Sequence, residues 1–455
     1  MEGGSLGDEG IPGFLIDIVH RWLHELQRLG KIGILSTGCK CCIFFQGGTG
    51  QTRGLEVTYL LEGLKVVDLA SFLAAPGAAT LMADYGAEVI KIEPPGGDGY
   101  RRLHGNWKTD YNWQLTSRNK LGMSLDITTD EGHEVLMKLL DDTDVLVTNF
   151  RNDQLEKYAM SYEALHVRFP RLIVAQLTGY GNLGPDRKRR GYDSTAWFAR
   201  TGIMQLMKPK DAPPVFPAGG VGDHSTAMSL FAGVMMALFK REKEGEGSFV
   251  ETSLIASGCW ANGMSLQGAI SGFDLGGFLD KSNRSPFAMV YETRDRRFVI
   301  LVFTNPPKEW PEFANALGHP EWLEDDRFQD MRTLMRHRDD LKEIIAEAIG
   351  AMNLKDVSLA LDKFELTFGV IDGLTDVVQD AHLIENGVVI KTESDDPGFE
   401  WTIANPIKIS GEACKPAIDP PLYGEHSRKI LLDHGFTEKE IESLIRDKVV
   451  FAGES

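Results

Sequence analysis

The chain has 455 residues, enough for two or three domains around a large buried core. Its formal net charge of -18 at pH 7 argues against nucleic acid or an anionic membrane as the main partner, because phosphate groups require a basic surface. Hydrophobic residues make up 42% of the chain and charged residues 25%, which is ordinary for a globular enzyme. An anionic small ligand stays possible, since it needs only a local basic pocket.

The cysteines indicate the redox compartment of the protein, and the apolar runs indicate whether it spans a membrane. Five cysteines, three of them within residues 39–42, do not form a disulfide framework and favour a reducing compartment, the cytoplasm. No second cysteine or histidine pair follows at zinc spacing, so no metal site is predicted. The apolar run 227–239 is shorter than the roughly 20 residues that a bilayer requires, so no transmembrane helix is predicted.

The regular part of the chain follows residues 1–60, an extension to which the sequence assigns no role. Residues 64–69 read as a buried strand, 76–86 as a helix with proline in its first turn, and 87–93 as the next strand. The same alternation continues with strands over 124–127, 144–150 and 172–177 and helices over 130–140 and 154–167. Apolar strands alternating with amphipathic helices predict an α/β fold with a parallel, Rossmann-like sheet.

A glycine turn, Gly219-Gly220-Val221-Gly222, precedes Asp223 and an apolar helix that ends near residue 243. The glycines allow the backbone of the turn to come close to a ligand or to another chain segment, and the pattern indicates that the helix starts at Asp223. On this pattern alone the favoured interpretation is a helix cap, because aspartate is common at that position. The alternative is a carboxylate placed for chemistry.

The second half of the chain predicts a smaller domain and a returning tail. Residues 250–277 read as a connection out of the first domain, which spans 61–265. Strands over 287–291 and 297–303 and helices over 308–317, 337–351 and 354–361 predict a smaller α+β domain within residues 266–396. The tail, residues 397–455, has helices over 428–434 and 438–448 and is expected to return to the large domain.

Ligands of such sheets bind beyond the carboxyl ends of the strands. The first strand leads into 70–76 without a Gly-x-Gly-x-x-Gly turn, which disfavours a nicotinamide oxidoreductase. Phosphates can instead be bound by backbone amides at helix starts with the help of isolated basic side chains.

Several stretches together resemble the class III CoA-transferase family, which includes formyl-CoA transferase, crotonobetainyl-CoA:carnitine CoA-transferase and the α-methylacyl-CoA racemases. The resemblance runs from about residue 61 to the C-terminus, and its ordered matches are more specific than any one motif. The matching stretches are Leu61 to Asp68, Ala87 to Asp98 with Lys91-Ile92-Glu93-Pro94-Pro95-Gly96-Gly97-Asp98, Asp144 to Phe150, Leu177 to Gly181, Gly191-Tyr192-Asp193, Gly222-Asp223 and Tyr423-Gly424-Glu425-His426.

The resemblance implies a Rossmann-like domain made by both ends of the chain, a smaller domain between them, and two interlocked chains in a homodimer. It implies an enzyme that uses an acyl-CoA and a small carboxylic acid as substrates, with CoA thioester as substrate and no permanently bound cofactor. The family nucleophile maps to Asp223, whose carboxylate attacks the thioester in covalent steps. We expect the helix start to keep this carboxylate ionised.

By position, the resemblance maps a CoA site and a substrate pocket onto this sequence. Other readings compete: Leu125 and Phe150 suit a plain core, Asn149 can cap a turn, and Lys157 can be a solvated charge. Tyr192 either lines the acyl pocket or packs inside. The mapped CoA residues are Ser71, Phe72, Ala74, Leu125, Asn149, Phe150, Lys157 and Arg190, and the mapped pocket residues are Leu73 and Tyr192.

Two departures separate the branches of the family. Racemases carry histidine in a Gly-His-Asp motif, where this chain has Tyr192, and a phenol of ordinary pKa near 10 is a poor base at neutral pH. His224 is a possible substitute, but we expect it to serve only as polarity in the first helical turn. Formyl-CoA transferase carries glutamine where this chain has Leu73, which argues for a less polar acid than oxalate. A racemase and a non-catalytic CoA-binding protein stay as alternatives.

Overall fold

The computed structural model describes residues 32–33, 44–45, 58–103, 110–208, 212–273 and 284–453. The cysteine run at 39–42 lies outside them, as do the extension's residues other than 32–33, 44–45 and 58–60. The chain divides into two compact units, Met1–Val57 and Thr58–Ser455. In the first unit, Ile32–Gly33 pairs antiparallel with Phe44–Phe45.

The second unit is a mixed α/β structure. Its strands are β1 Lys65–Asp68, β2 Glu88–Glu93, β3 Leu121–Leu125, β4 Val145–Thr148, β5 Ile173–Thr178, β6 Phe249–Ser253, β7 Val290–Glu292, β8 Phe298–Leu301, β9 Phe368–Ile371, β10 Val389–Lys391, β11 Trp401–Ile403 and β12 Val450–Phe451. Its first helices are α1 Ala74–Asp84, α2 Tyr111–Ser117, α3 Asp130–Leu139, α4 Asn152–Lys157, α5 Tyr162–Arg168, α6 Ile203–Met207, α7 Val221–Glu244, α8 Leu254–Ala261 and α9 Gly263–Ile270. The later helices are α10 Pro306–Ala316, α11 Met331–Arg336, α12 Arg338–Gly350, α13 Leu354–Lys363, α14 Leu374–Gln379, α15 Ala381–Glu385, α16 Ser427–Asp433 and α17 Glu438–Arg446.

The large sheet has seven strands in the order β12-β3-β2-β1-β4-β5-β6. Neighbours from β3 to β6 are parallel, and β12 alone is antiparallel, with Val450 opposite Leu125. The predicted large parallel sheet is therefore confirmed. The predicted connection over 250–277 is instead regular structure at its start: residues 250–253 belong to β6, an edge strand whose exposed Glu251 interrupts the apolar run, and α8 follows at Leu254.

Helices cover both faces of this sheet and enclose two apolar cores. Helix α1 is buried along its whole length and packs against α7, and a Cβ at Gly77 would lie only 3.3 Å from the Cβ of Ala227. The predicted helix 154–167 is interrupted in the structure. Ala159 adopts a φ of 51°, and the Ser161 side chain accepts a hydrogen bond from the backbone of Ala164 to begin α5.

A third core is formed by buried residues between 287 and 366 and packs beside β7, β8 and β9, an antiparallel sheet in the order β9-β8-β7. Helices α10, α12 and α13 contribute buried residues to this core, among them Phe313, Ile345 and Leu361. The tail carries α16 and α17 and then adds β12 to the large sheet. The boundaries at 265 and 396 stay a prediction. Within the described part of the chain, no helix combines the length and apolarity needed to cross a bilayer.

Candidate active site

The main cavity lies beyond the carboxyl ends of β1, β4, β5 and β6, which are neighbours in the sheet. Parallel strands present their carboxyl ends at one edge, so residues from distant parts of the sequence meet there. The cavity encloses about 1090 Å³. It gathers most of the residues that the sequence mapped to a site: Ser71, Phe72, Leu73, Ala74, Asn149, Phe150, Arg190, Tyr192 and Asp223.

Asp223 lies in the first turn of α7, two residues inside the helix. The helix begins at Val221, and Gly220, with a φ of 87°, occupies the capping position without a side-chain hydrogen bond. The interpretation of Asp223 as the cap is therefore wrong, because the left-handed glycine begins the helix before it. The first intrahelical donor is the backbone N–H of His224, so the amides of Val221, Gly222 and Asp223 have no partner within the helix.

The Asp223 carboxylate is partly buried, and the negative charge of Asp193 acts on it. Burial raises its pKa from 3.8 to about 7, and the charge of Asp193 acts in the same direction. From the sequence we expected the helix start to keep Asp223 ionised. The helix start does favour the anion, but with a pKa of about 7 the carboxylate is not fully ionised at neutral pH. The protonated and ionised forms are both populated near pH 7.

Asp193 holds the glycine turn that carries Asp223, a role that the sequence did not reveal. Its side chain is buried, and one carboxylate oxygen accepts a hydrogen bond from the backbone N–H of Gly220 at 2.6 Å. The other oxygen accepts from the N–H of Ser194 at 2.6 Å. The motif Gly191-Tyr192-Asp193 pointed to this residue, but its contact with the turn lies 27 residues away in sequence.

Aromatic and apolar side chains form one wall of the cavity. The ring of Phe72 lies 5.9 Å from that of Tyr192, edge to face, and 6.3 Å from that of Tyr100. Leu73 is buried against the glycine turn, since a Cβ at Gly220 would lie 3.3 Å from its Cδ1. The apolar side chain of Leu73 is thus adjacent to the turn that carries the carboxylate.

Asn149 fixes the loop that follows β1. Its Oδ1 accepts a hydrogen bond from the backbone N–H of Ser71 at 3.1 Å, and its Nδ2 donates to the Ser71 carbonyl at 2.9 Å. The side chain lines the cavity while both of its polar atoms serve the loop. A ligand contact by Asn149 stays a prediction, and the structure adds a positioning role.

Basic side chains line the cavity near the loop after β5. Arg190 is exposed there, and Arg189 and Arg151 also line the cavity. Lys157 and Leu125 do not line the cavity: Lys157 is exposed beside the ring of Tyr158, and Leu125 is 1% exposed in the core of the sheet. The structure therefore does not bring these two residues to the cavity with the other mapped residues.

His224 also lines the cavity, although we expected it to be only first-turn polarity. Its position beside Asp223 places two titratable groups at one wall. No group of three or more metal-binding side chains occurs among the described residues.

The glycine turn itself provides a prediction about packing. A Cβ at Gly222 would lie 2.6 Å from Cγ of the buried Trp197, so Gly222→Ala is expected to displace the ring and lower the melting temperature. Gly219 has open space around its Cα and is the matched control, for which an unchanged melting temperature is expected. Differential scanning calorimetry measures both, and equal melting temperatures would contradict the close packing at Gly222.

Known proteins resemble this chain over most of its length. Residues 61–427 match the sequence model of CoA-transferase family III. The (R)-2-hydroxy-4-methylpentanoate CoA-transferase of Clostridioides difficile is 34% identical over 398 residues, which cover 86% of this chain and 99% of that protein. The cinnamoyl-CoA:phenyllactate CoA-transferase of Clostridium sporogenes is 31% identical over 406 residues, with 86% and 97% covered.

The fold is also found among solved structures. A CAIB/BAIF family protein from Brucella suis superposes with a TM-score of 0.72 at 26% identity, covering 83% of this chain and all of that one. The family match, the identity to named transferases and the shared fold agree with one another. The chain therefore belongs to CoA-transferase family III and is a class III CoA-transferase.

Proposed function

We propose that the enzyme exchanges CoA between an acyl-CoA and a carboxylic acid through covalent intermediates on Asp223. The carboxylate attacks the thioester carbonyl, forming an aspartyl–acyl anhydride and releasing CoA thiolate. The thiolate then attacks the aspartyl carbonyl and expels the first acid, leaving an aspartyl-CoA thioester. The acceptor acid repeats the two steps in reverse, so that carboxylate and thioester are conserved and no other cofactor is required.

The observation that carries this proposal is the placement of Asp223 in the cavity, in the first turn of α7. Helix amides without intrahelical partners lie in the same turn and are suited to stabilise a developing oxyanion. A carboxylate whose pKa is about 7 is also more nucleophilic than an ordinary one, because burial leaves it poorly solvated. Both features favour attack on an acyl carbon.

We infer that the basic residues at the cavity bind the phosphates of CoA. Arg190 carries this role in our proposal, with Arg189 and Arg151 beside it. Arg190→Ala is expected to raise the KM for acyl-CoA by about 10-fold with a smaller change in kcat, since one charged contact contributes about 1.5 kcal/mol. Steady-state kinetics measure this change.

Arg187 is the matched control for Arg190. It lies in the same exposed loop, but its guanidinium donates to the Gly184 carbonyl and does not line the cavity. We expect Arg187→Ala to leave the KM for acyl-CoA nearly unchanged. If the two substitutions raised the KM for acyl-CoA equally, the positive charge of the loop as a whole, and not a specific contact of Arg190, would account for CoA binding.

We propose a 2-hydroxy acid with an apolar side chain as the exchanged acid. The two transferases described above act on 2-hydroxy-4-methylpentanoate and phenyllactate, as their names state. In this chain, Phe72, Leu73, Tyr192 and Leu254 offer an apolar surface in the same cavity as Asp223. A small dianion such as oxalate finds no hydrogen-bonding side chain at Leu73.

Incubation with acyl-CoAs and free acids tests the proposed function. The expected result is CoA transfer to 2-hydroxy-4-methylpentanoate and phenyllactate in preference to oxalate, with mass spectrometry of trapped enzyme showing CoA or hydroxamate on the Asp223 peptide. His224 lines the cavity and is the candidate base for the racemase alternative. The same reactions are therefore also run in D₂O, which reports any exchange of the α-proton. Deuterium incorporation without CoA transfer would replace the proposal with the racemase alternative.

The raised pKa of Asp223 predicts the pH dependence of the reaction. Only the carboxylate is nucleophilic, so kcat/KM is expected to fall about tenfold per pH unit below pH 7. The acids themselves, with ordinary pKa values near 4, stay ionised over this range. A pH–rate profile between pH 5 and 9 measures this fall in kcat/KM, and a profile that stays flat down to pH 5 would contradict the raised pKa.

We also propose a homodimer. Helices α8 and α9 and the residues after them expose large apolar side chains, with Trp260 88%, Met264 85% and Ile270 78% exposed. Exposed apolar patches of this kind mark interaction surfaces. Sedimentation equilibrium is expected to give twice the 50.4 kDa of one chain, and Trp260→Glu to shift the equilibrium toward the monomer.

A further inference from the structure

The stretch from Lys91 to Asp98 has no role in the chemistry proposed above, yet it is among the most buried charged segments of the molecule. Lys91 and Glu93 are 0% exposed, and Asp98 is 2% exposed. Charged side chains are rarely buried unless each is paired. Their partners therefore show what the segment does.

Asp98 contacts the cavity loop through hydrogen bonds. Its Oδ1 accepts from the backbone N–H of Phe72 at 3.1 Å and from that of Tyr100 at 2.9 Å. These are two of the residues whose rings form the aromatic wall. One carboxylate oxygen thus holds the backbones of two of the three residues that form the wall.

Phe72 needs such support because its backbone is in the left-handed region, with a φ of 65°. This conformation is strained for any residue that carries a side chain. It points the ring toward Tyr192, and the ring also covers Gly99, where a Cβ would lie 3.2 Å from its Cζ. A relaxed backbone at residue 72 would withdraw the ring from the cavity.

Lys91 forms an ion pair with the other oxygen of Asp98. Its Nζ lies 3.1 Å from Oδ2 of Asp98 and 3.8 Å from Oδ1 of Asp68, and it donates a hydrogen bond to the Ala70 carbonyl in the same loop. Asp68 has a second partner, Lys120, at 2.9 Å. We propose that the buried Lys91–Asp98 pair is the positioning device that holds Phe72 left-handed and so sets the aromatic wall of the cavity.

The pair requires a carboxylate at position 98 because every partner of that side chain is a donor. The ammonium of Lys91 faces one oxygen and two backbone N–H groups face the other. An asparagine has one oxygen, so in Asp98→Asn either the ammonium or the backbone amides face an NH₂ group. With the ammonium present, the amide oxygen turns to the charge and the Phe72 N–H loses its acceptor.

The same turn is tied to the returning tail. Glu93 accepts a hydrogen bond from the backbone N–H of Asp98 at 2.9 Å and binds Arg101 through both oxygens, at 2.6 and 2.8 Å. Arg101 also donates to the Pro421 carbonyl at 2.8 Å, and the Tyr423 hydroxyl accepts from the N–H of Gly96 at 3.0 Å. The position of Asp98 is therefore fixed by the tail as well as by Lys91.

Two variants test the proposal without requiring any particular substrate. Crystal structures of Asp98→Asn and of the double variant Lys91→Met/Asp98→Asn give φ at residue 72 and the distance between the rings of Phe72 and Tyr192. We expect Asp98→Asn to lose the positive φ. We expect the double variant to regain it, because without the ammonium the side-chain amide oxygen at position 98 is free to accept from the backbone amides, and Asp68 keeps Lys120.

Kinetics give a second readout that a loss of folded protein does not change. The ratio of kcat/KM for a branched 2-hydroxy acid to that for acetate is independent of the active enzyme concentration. Asp98→Asn is expected to lower this ratio by about 10-fold, and the double variant to recover it within about 3-fold of the parent. The structural readout stands even if the enzyme uses another class of acid. Failure of the positioning proposal can therefore be distinguished from failure of the proposed substrate class.

Each outcome decides the proposal. A positive φ at residue 72 in Asp98→Asn overturns it, and so does a folded double variant in which residue 72 has relaxed. Failure of Asp98→Asn to fold, together with a folded double variant that keeps the positive φ, supports it. Neutral replacement of both members of a buried ion pair is often tolerated, which makes the double variant the decisive protein.

Discussion

Asp223→Asn is expected to lower the rate of CoA exchange by about 10⁴-fold or more, the loss that accompanies removal of a catalytic nucleophile. The amide is nearly the same size as the carboxylate, so the cavity keeps its shape. No anhydride forms on an amide under these conditions, and no CoA is trapped on the peptide. Exchange of labelled acid into acyl-CoA measures the rate.

The stability of the same variant separates catalysis from folding. The folded-state pKa of Asp223 is raised from 3.8 to about 7, chiefly by burial, so the folded protein binds this proton more tightly than the unfolded chain. The contribution of Asp223 to stability therefore falls as pH rises from about 4 to 7. Asp223→Asn removes this penalty and is expected to be as stable as the parent, or more stable, above pH 7. Exchange at more than a tenth of the parent rate would exclude Asp223 as nucleophile.

The parallel sheet could be predicted from the sequence because its strands are continuous apolar runs separated by capped helices. Residues 145–148 and 173–178 are fully buried in the structure, which is the burial that such runs predict. The edge strand β6 was missed because only Ser253 in it is buried and its last three residues, 251–253, are polar. The break at Ala159 was missed because no glycine or proline marks it.

The site could be predicted only in part, because a sequence gives the identity of each residue but not the residues that it contacts. The local pattern around Asp223 favoured a helix cap, and the resemblance to a family, not the pattern, assigned it as nucleophile. Mapping by position placed Leu125 and Lys157 with residues that line the cavity, whereas the fold buries one and leaves the other outside. Distance along the chain also hid the hydrogen bonds of Asn149 to Ser71, 78 residues apart.

Asp193→Asn is expected to lower kcat/KM by about 10²-fold, because it disturbs the turn that carries the nucleophile. Both carboxylate oxygens of Asp193 accept backbone hydrogen bonds, from Gly220 and from Ser194, each at 2.6 Å. Asparagine satisfies one of them and turns its NH₂ group toward the other. The first turn of α7 then loses an anchor, and Asp223 moves with it.

The same substitution has a second effect that does not depend on the first. The negative charge of Asp193 helps to raise the pKa of Asp223, so its removal shifts the acid limb of the pH–rate profile to lower pH. Asp186→Asn is the control, since Asp186 pairs with Arg189 and Arg200 in the neighbouring loop and does not contact the turn. We expect the control to leave the limb in place. A limb that stays fixed in Asp193→Asn would show that burial alone sets the pKa of the nucleophile, and the fall in kcat/KM would then report geometry alone.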